Sequence, residues 1–286
     1  MSAITERFSN IYRLQDHKFE IIGCGSIGSF TAMNLVRAGA EKFMLWDDDH
    51  VATVNIGVQH FSLSHVGNSK VKMLRKQMID INPQALIFMY RKKYDKNAPN
   101  RLLPSVNQWK RTDINFNKKI FIIIGIDNMH GRKSIAEAIS ISTKYFLNDV
   151  YVLDGRMGSE TFQLYHWKLM SNKAINSIMQ IMNEDVNGRF IRLPVIDKIK
   201  AIVMDSGNRF IRSYLKSWYS DDAGNPEPCN ARSTNYCASM AASFINNQIR
   251  KICDNNSTTD TDILFNFPQM LIQSQTDYSK LKNLSK

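Results

Sequence analysis

Cysteine is scarce in this sequence, and the spacings by which cysteines usually bind metal ions are missing. The four cysteines are Cys24, Cys229, Cys237 and Cys253, and no two of them form a Cys-x-x-Cys pair. This pattern disfavours both a disulfide framework and a tetrahedral zinc site of the cysteine-rich kind. We therefore predict that the chain holds no structural zinc.

Long apolar runs are missing as well. No stretch approaches the roughly 18 apolar residues that a membrane-spanning helix needs. Residues 1–7 lack the apolar core of a signal peptide. Both features predict a cytoplasmic protein with no membrane partner. The content of 43% hydrophobic and 22% charged residues is typical of a folded globular chain, and 286 residues suffice for one large domain or two small ones.

Acidic residues are outnumbered. The chain has 37 lysines and arginines against 26 acidic residues, which gives a net charge of +11. Such an excess can indicate a nucleic-acid-binding protein. The basic residues are scattered, however, with only short runs such as Arg91-Lys92-Lys93, and no nucleic-acid motif accompanies them. We favour a basic surface that suits an anionic nucleotide and an acidic protein partner, and we expect no nucleic acid.

A glycine-rich turn follows the first apolar segment. Residues 19–22 are typical of a buried strand, and the next six, Gly23-Cys24-Gly25-Ser26-Ile27-Gly28, match the G-x-G-x-x-G fingerprint of nucleotide-binding turns. Gly23 would permit the tight turn, and Gly25 would let the backbone approach a phosphate. Gly28 would let the following helix pack closely on the sheet. The N-terminus of that helix, with Ser26 in the turn, would attract an anion.

Three acids end the second strand. The strand Lys42 to Trp46 leads into Asp47-Asp48-Asp49, and Asp47 comes 19 residues after Gly28. At that place a carboxylate binds ribose hydroxyls. The strand–turn–helix–strand unit predicts an α/β chain with a Rossmann-like, doubly wound and mostly parallel sheet. Taken alone, it would favour a dinucleotide.

The residues after the acids change this interpretation. They are Asn55, Gln59, Gly67, Lys70, Ile81, Asn82 and Pro83. In their order and spacing they resemble the motifs of the ThiF/MoeB/HesA family, the adenylyltransferases related to ubiquitin-activating enzymes. One position departs from the pattern, because Val58 stands where the N-x-x-R-Q segment has its arginine. Either Arg7, Arg13 or Arg156 replaces that charge, or the protein is a weakened or repurposed relative.

The resemblance implies ATP and Mg²⁺ as cofactors. It assigns nucleotide binding to Asp47, Asp49, Asn55, Gln59 and Lys70, in addition to the turn. Lys70 is predicted in the first turn of a helix, where a lysine is disfavoured unless an anion lies nearby. Asp127 follows the apolar strand of residues 119–124, so it should lie at the same sheet edge as the turn. The resemblance gives it Mg²⁺ binding.

Further roles follow from the resemblance alone. Arg7 would reach across a homodimer to the phosphates of the partner subunit's ATP. The substrate would be a ubiquitin-like or sulfur-carrier protein with a Gly-Gly tail, and Cys229 would accept its activated carboxyl group. Cys229 precedes a helix predicted from Ala231 to Lys251, so its pKa should be low. Cys237, inside that helix, is predicted to be a core residue.

The second half of the chain has a different pattern. Strands are predicted from Tyr145 to Leu153 and from Thr161 to Trp167, with antiparallel pairing, and Arg156 on a turn between them could contact the partner's tail. Residues 171–219 are predicted to form a helical insertion. We interpret residues 1–286 as a single adenylation domain, with a nucleotide-binding half (1–140) and a partner-binding half (141–286).

Three other functions remain open. An NAD-dependent oxidoreductase would explain Asp47 but would leave Asn55, Lys70 and Asp127 without a role. A relative that adenylates a peptide or a small molecule would use the same site. A non-catalytic module would keep the fold and bind ATP without turnover.

Overall fold

The computed structural model describes most of the chain, namely residues 13–95, 114–158, 160–185, 191–217, 234–254 and 262–274. Two of the expected site residues, Arg7 and Cys229, lie outside these ranges.

Strands and helices alternate through the first half of the chain. The strands are β1 (Lys18–Ile22), β2 (Lys42–Trp46), β3 (Leu86–Tyr90), β4 (Asn115–Ile124), β5 (Asn148–Met157), β6 (Thr161–Lys168), β7 (Asp262–Asn266) and β8 (Leu271–Ser274). The helices are α1 (Ser26–Arg37), α2 (Lys70–Ile81), α3 (Met129–Ser140), α4 (Thr143–Phe146), α5 (Asn172–Glu184), α6 (Leu193–Lys216) and α7 (Asn235–Cys253). Three short 3-10 helices are Leu14–Asp16, Thr53–Asn55 and Leu63–His65.

The strands form one sheet of eight, in the order β3-β2-β1-β4-β5-β6-β7-β8. Neighbours from β3 to β5 run parallel, and β6, β7 and β8 extend the sheet in antiparallel fashion. The expected doubly wound sheet with an antiparallel extension is thereby confirmed. The chain order reverses at β1, which pairs with both β2 and β4, so a crevice is expected at the carboxyl ends of these strands.

Helices cover both faces of the sheet. On one face, the side chains of Phe19 and Ile21 are buried in a cluster with α1, α2 and α7. On the other face, Ile22 and Ile122 are buried with α3, α5 and α6. Because helices cover both faces of the central strands, the sequences of these strands are continuously apolar and do not alternate between apolar and polar residues.

The boundary between the parallel and antiparallel parts differs from the prediction. Tyr145 lies in α4, and β5 begins at Asn148 and continues to Met157. The prediction of a turn at Arg156 is therefore wrong, because Arg156 lies within β5. Polar residues inside β5 are tolerated because Arg156 is ion-paired to the buried Asp154, and Gly155 between them pairs with Leu164 of β6.

Within the described part of segment 171–219 there are two helices, α5 and α6. Pro194 lies in the first turn of α6, a position where proline costs no hydrogen bond. In α5 the buried residues are Ala174, Ile178 and Met182. They are spaced four apart, as one face of a helix requires. Met179, next to Ile178 in the sequence, lies off this face and is 44% exposed.

Lys70 lies in the first turn of α2, as predicted, whereas α7 begins later than the predicted Ala231. Gly67 has a φ of +81° and ends a turn before α2, which begins at Lys70. The helix α7 begins at Asn235, with Thr234 as its N-cap. None of the helices in the described ranges has a stretch long and apolar enough to cross a membrane.

The packing of α6 on α3 depends on a glycine. A Cβ added to Gly207 would lie 2.1 Å from the carbonyl oxygen of Ser140. We expect Gly207→Ala to lower the free energy of unfolding by about 1–3 kcal/mol, because backbone must move to relieve the overlap. Denaturant titration measures this change. Gly57→Ala is the control, since a Cβ at Gly57 meets nothing within 4 Å, and equal stability of the two variants would contradict the expectation.

Candidate nucleotide-binding site

The turn between β1 and α1 is held by two glycines. Gly23 has a φ of +88°, and its N–H donates to the carbonyl of Trp46 at 2.8 Å. A Cβ added to Gly28 would lie 1.8 Å from the carbonyl oxygen of Gly23. The helix therefore approaches the end of β1 more closely than any side chain allows. These are the mechanical roles predicted for the two glycines.

Gly25 has a different environment. It is the N-cap of α1 and precedes Ser26, the first residue of the helix. A Cβ added to Gly25 would find its nearest neighbour, the side-chain Nε2 of Gln59, at 3.7 Å. The protein's own packing does not require a glycine here. A missing side chain at a helix N-terminus, where N–H groups point outward, suits the close approach of a phosphate.

Asp47 connects the end of β2 to this turn. Its Oδ2 accepts the N–H of Cys24 at 2.7 Å, and its Oδ1 accepts the N–H of Asp49 at 2.8 Å. Burial raises the pKa of Asp47, although the charge of Lys70 and the two N–H groups act in the opposite direction. Asp47 thus has a structural role in addition to the ribose binding predicted for it, which stays a prediction.

Lys70 is buried at the start of α2. The residue is only 6% exposed, and its Nζ lies 2.8 Å from Oδ2 of Asp49, whose side chain is 65% exposed. The backbone N–H of Lys70 also donates to the carbonyl of Asp49 at 3.0 Å. Because the Asp49 side chain can turn toward solvent, the buried ammonium group is able to exchange this carboxylate for a phosphate oxygen.

Asn55 and Gln59 lie on the segment that packs beside the turn. The Oδ1 of Asn55 accepts the N–H of Ala52 at 2.9 Å. Gln59 is 4% exposed, and its Oε1 has no hydrogen-bond partner within the described residues; the same holds for the Oγ of Ser69. A buried acceptor without a donor is costly. The hydroxyl and amino groups of a nucleoside are donors of the required kind, so the residues fit ATP.

Asp127 follows β4 on the loop to α3. It is exposed, and its Oδ1 accepts a hydrogen from the side-chain amide of Asn128 at 3.2 Å. Asn128 is the N-cap of α3, since its Oδ1 accepts the N–H of Gly131 at 2.6 Å. The cap of this helix is therefore Asn128 and not its neighbour Asp127. Asp127 itself lies just after the carboxyl end of β4, with its side chain exposed.

A single carboxylate fits Mg²⁺ in this setting, because that ion commonly takes its other ligands from phosphates and water. The chain has a second acidic group, Asp47, Asp48 and Asp49, whose carboxylates lie within 4.8 Å of one another. Two of these three are already engaged, by backbone N–H groups and by Lys70. Asp127, exposed after the carboxyl end of β4, stays the predicted ligand for a metal bound to nucleotide.

Arg156 does not lie at this edge as a free cation. It is 4% exposed, and it donates to Asp154 through Nε at 2.9 Å and through a terminal nitrogen at 2.7 Å. The expectation that Arg156 contacts a partner's tail is wrong, because its charge is buried and paired. The signal was present in the sequence, since residues 154 and 156 share one face of a strand.

The three described cysteines are not activated thiols. Burial and the charge of Asp47 raise the pKa of Cys24, which is fully buried. Burial raises the pKa of Cys237 to about 11 and that of Cys253 to about 12. Cys237 lies in the core, as predicted. Cys229 stands five residues before the cap Thr234 in the sequence and lies outside the described ranges, so its low pKa stays a prediction.

The parallel sheet that reverses at a glycine turn defines a doubly wound, Rossmann-type α/β protein. Comparison with known families gives a narrower result. The chain belongs to the ThiF family, whose model matches residues 4–164. This match confirms the family named from the motifs.

Individual relatives match over shorter stretches. A tRNA threonylcarbamoyladenosine dehydratase of Bacillus subtilis (strain 168) is 34% identical over 86 residues, which are 30% of this chain and 34% of the relative. A ubiquitin-like modifier-activating enzyme 5 of Caenorhabditis elegans is 24% identical over 123 residues, 43% of this chain and 29% of the relative. The chain thus spans about a third of these relatives' length.

Solved structures match over nearly the whole chain. PaaA has a TM-score of 0.58 at 15% identity, over 94% of this chain and 79% of PaaA. E. coli MccB, in a structure with ATP, has a TM-score of 0.55 at 15% identity, over 92% of this chain and 64% of MccB. At such identities the likeness establishes the fold, including that of the C-terminal half.

The two kinds of glycine generate a paired prediction. Gly28→Ala should lower the free energy of unfolding by about 2 kcal/mol or more. Gly25→Ala should change it by less than about 1 kcal/mol yet weaken ATP binding roughly tenfold or more, because the new methyl group occupies the phosphate's approach. Denaturant titration and calorimetry measure the two quantities. Undiminished ATP binding by Gly25→Ala would contradict this placement of the phosphate.

The thiols generate a second prediction. During alkylation of the native protein at neutral pH, Cys24, Cys237 and Cys253 should react slowly, because their high pKa values leave little thiolate. Cys229 should react first. Peptide mass spectrometry after timed quenching measures the order, and unfolded protein is the control. Rapid native labelling of Cys237 would contradict the burial of its thiol.

Proposed function

We propose that this chain binds ATP with Mg²⁺ at the glycine turn and adenylylates the C-terminal carboxylate of a ubiquitin-like or sulfur-carrier protein. The observation that carries the proposal is the buried Lys70 beside an open helix N-terminus in a member of the ThiF family. A dinucleotide oxidoreductase has no use for a buried lysine at the start of α2.

The reaction is a displacement at the α-phosphorus. A carboxylate oxygen of the partner forms a bond to that phosphorus, the bond to the bridging oxygen breaks, and pyrophosphate leaves with the electron pair. The acyl-adenylate stays bound. Little covalent chemistry is asked of the protein, whose task is to position the two reactants and to stabilise negative charge.

Each site residue has one part in this task. The N-terminus of α1 and the ammonium group of Lys70 would stabilise the phosphates, while Asp47, Asn55 and Gln59 would hold the nucleoside. Bound Mg²⁺ would neutralise charge on the phosphate oxygens, and Asp127 would be its ligand from the protein.

Because Val58 replaces the family's arginine, the site lacks one cation that the family motif supplies. Val58 itself is half-buried. Arg156 is no substitute, because its guanidinium is committed to Asp154 and to Ser217. Arg7, reaching across a homodimer, or the exposed Arg13 would supply the missing charge.

A second step would follow the adenylylation. The thiolate of Cys229 would attack the acyl-adenylate and form a thioester, with AMP as the leaving group. Arg232, three residues further along the sequence, would be the cation that favours the thiolate. In this proposal the nucleotide-binding half is residues 1–140, and residues 141–286 bind the partner.

A peptide or small molecule as the acceptor is the alternative. It has support from MccB, which shares the fold over 92% of this chain and was also solved in complex with N-formylated MccA. A protein whose acceptor is a short peptide should catalyse ATP–pyrophosphate exchange with that peptide and fail with a folded Gly-Gly-tailed protein.

Lys70→Met tests the proposal most simply. Partner-dependent ATP–pyrophosphate exchange should fall roughly a hundredfold, because one preorganised cation is lost from the phosphates. Lys72→Met, two positions along the same helix, removes an exposed lysine and should leave the exchange unchanged. NADH is the control ligand and should not compete with ATP.

Two results would overturn the proposal. Unchanged exchange by Lys70→Met would exclude Lys70 from the phosphates. ATP binding without exchange, for every carboxylate partner offered, would make the chain a non-catalytic binding module.

A further inference from the structure

A buried ionic cluster lies behind the loop that carries Asp127. Its centre is Asp154 in β5, which is fully buried and paired in register with Ile124, the last residue of β4. Arg132 of α3 donates to Oδ1 of Asp154. Arg156 donates to Oδ2. One carboxylate thus receives two guanidinium groups that together carry one positive charge more than it neutralises.

Arg132 also binds the loop itself. One of its terminal nitrogens donates to the carbonyl of Ile126 and, at 3.0 Å, to the carbonyl of Gly155. Ile126 immediately precedes Asp127 in the chain. A single planar guanidinium therefore fixes the backbone of this loop against β5, and only an arginine offers donors in the required fork.

The same carboxylate holds the end of α6. The hydroxyl of Tyr214 donates to Oδ2 of Asp154 at 2.9 Å. Arg156 donates to the carbonyl of Ser217 at 2.6 Å and to its Oγ at 3.0 Å. The last turn of α6 and the loop before α3 are thus tied to the two oxygens of one side chain.

Stability alone is a poor explanation for this cluster. Burying three charges costs desolvation energy that their mutual attraction often does no more than offset, so apolar side chains would pack as well. What the charges add is direction, because the guanidinium donors are aimed at particular oxygens of Asp154, of the loop backbone and of Ser217. A fixed geometry has most value beside a residue that must present its carboxylate accurately.

We propose that Arg132 and Asp154 are positioning residues: they hold the loop 125–128 so that Asp127 presents its carboxylate to nucleotide-bound Mg²⁺, and they couple that loop to the C-terminal turn of α6. The metal part of this inference rests on the proposed function. The coupling part concerns the protein without ligand and stands apart from it.

Hydrogen exchange of the unliganded chain, read by mass spectrometry, tests the coupling. Arg132→Lys keeps the charge and loses the fork, so exchange should quicken in residues 125–131. Tyr214→Phe removes one hydroxyl from Asp154, so exchange should quicken in residues 213–217 and, less strongly, in 125–131. Tyr145→Phe is the matched control, because its hydroxyl also donates to a buried carboxylate, that of Glu20. It should leave both segments unchanged.

The metal part is tested by nucleotide affinity. Arg132→Lys should weaken ATP binding in the presence of Mg²⁺ by roughly ten- to a hundredfold, the usual effect of a lost supporting partner, and leave Mg²⁺-free ATP binding as it is. Calorimetry of the full chain measures both.

The outcomes separate the two proposals. If hydrogen exchange is faster but ATP affinity in the presence of Mg²⁺ is unchanged, the coupling stands and Asp127 is not the metal ligand. The positioning role would be overturned if hydrogen exchange in residues 125–131 were unchanged in both Arg132→Lys and Tyr214→Phe. It would also be overturned if Tyr145→Phe quickened hydrogen exchange in the same way. If the wild-type protein catalyses no ATP–pyrophosphate exchange, only the proposed function is overturned.

Discussion

The close approach of α1 to the end of β1 is the constraint on which the site depends. With 1.8 Å between the carbonyl oxygen of Gly23 and the place of a Cβ at Gly28, the backbone itself forms the floor of the crevice. Asp47 then ties β2 to the same turn through the N–H of Cys24. The helix N-terminus is thus aimed outward by packing, before any ligand binds, and electrostatic stabilisation of a phosphate needs little further ordering.

Much of this arrangement could be predicted because it is encoded locally. Continuous apolar runs indicated central strands covered on both faces. The spacing of the glycines indicated a tight turn at Gly23 and close packing of the helix at Gly28. Lys70 was placed near an anion on the ground that a lysine is disfavoured at a helix N-terminus, and its burial against Asp49 supports that argument without deciding the ligand. Boundaries failed where local propensity is weak, as at Tyr145 and Ala231.

Only the Arg156 pair of the Asp154 cluster left a signal in the sequence, because the other two partners are distant in the chain. Tyr214 lies 60 residues from Asp154, and Arg132 lies 22 residues from it. Without the fold, an arginine next to a glycine reads as an exposed turn residue, which is how Arg156 was misplaced. A single sequence gives spacing within an element. It does not show which helix packs against which strand. That packing determines which buried charges become neighbours.

The measurement that tests the central claim most directly is a crystal structure of the chain with a non-hydrolysable ATP analogue and Mg²⁺. The account predicts the phosphates over Gly25 at the N-terminus of α1, with Nζ of Lys70 bonded to a phosphoryl oxygen in place of Asp49 and with Asp127 on the metal. A structure that placed Lys70 and Asp127 far from every phosphoryl oxygen, or that left the glycine turn empty, would contradict it.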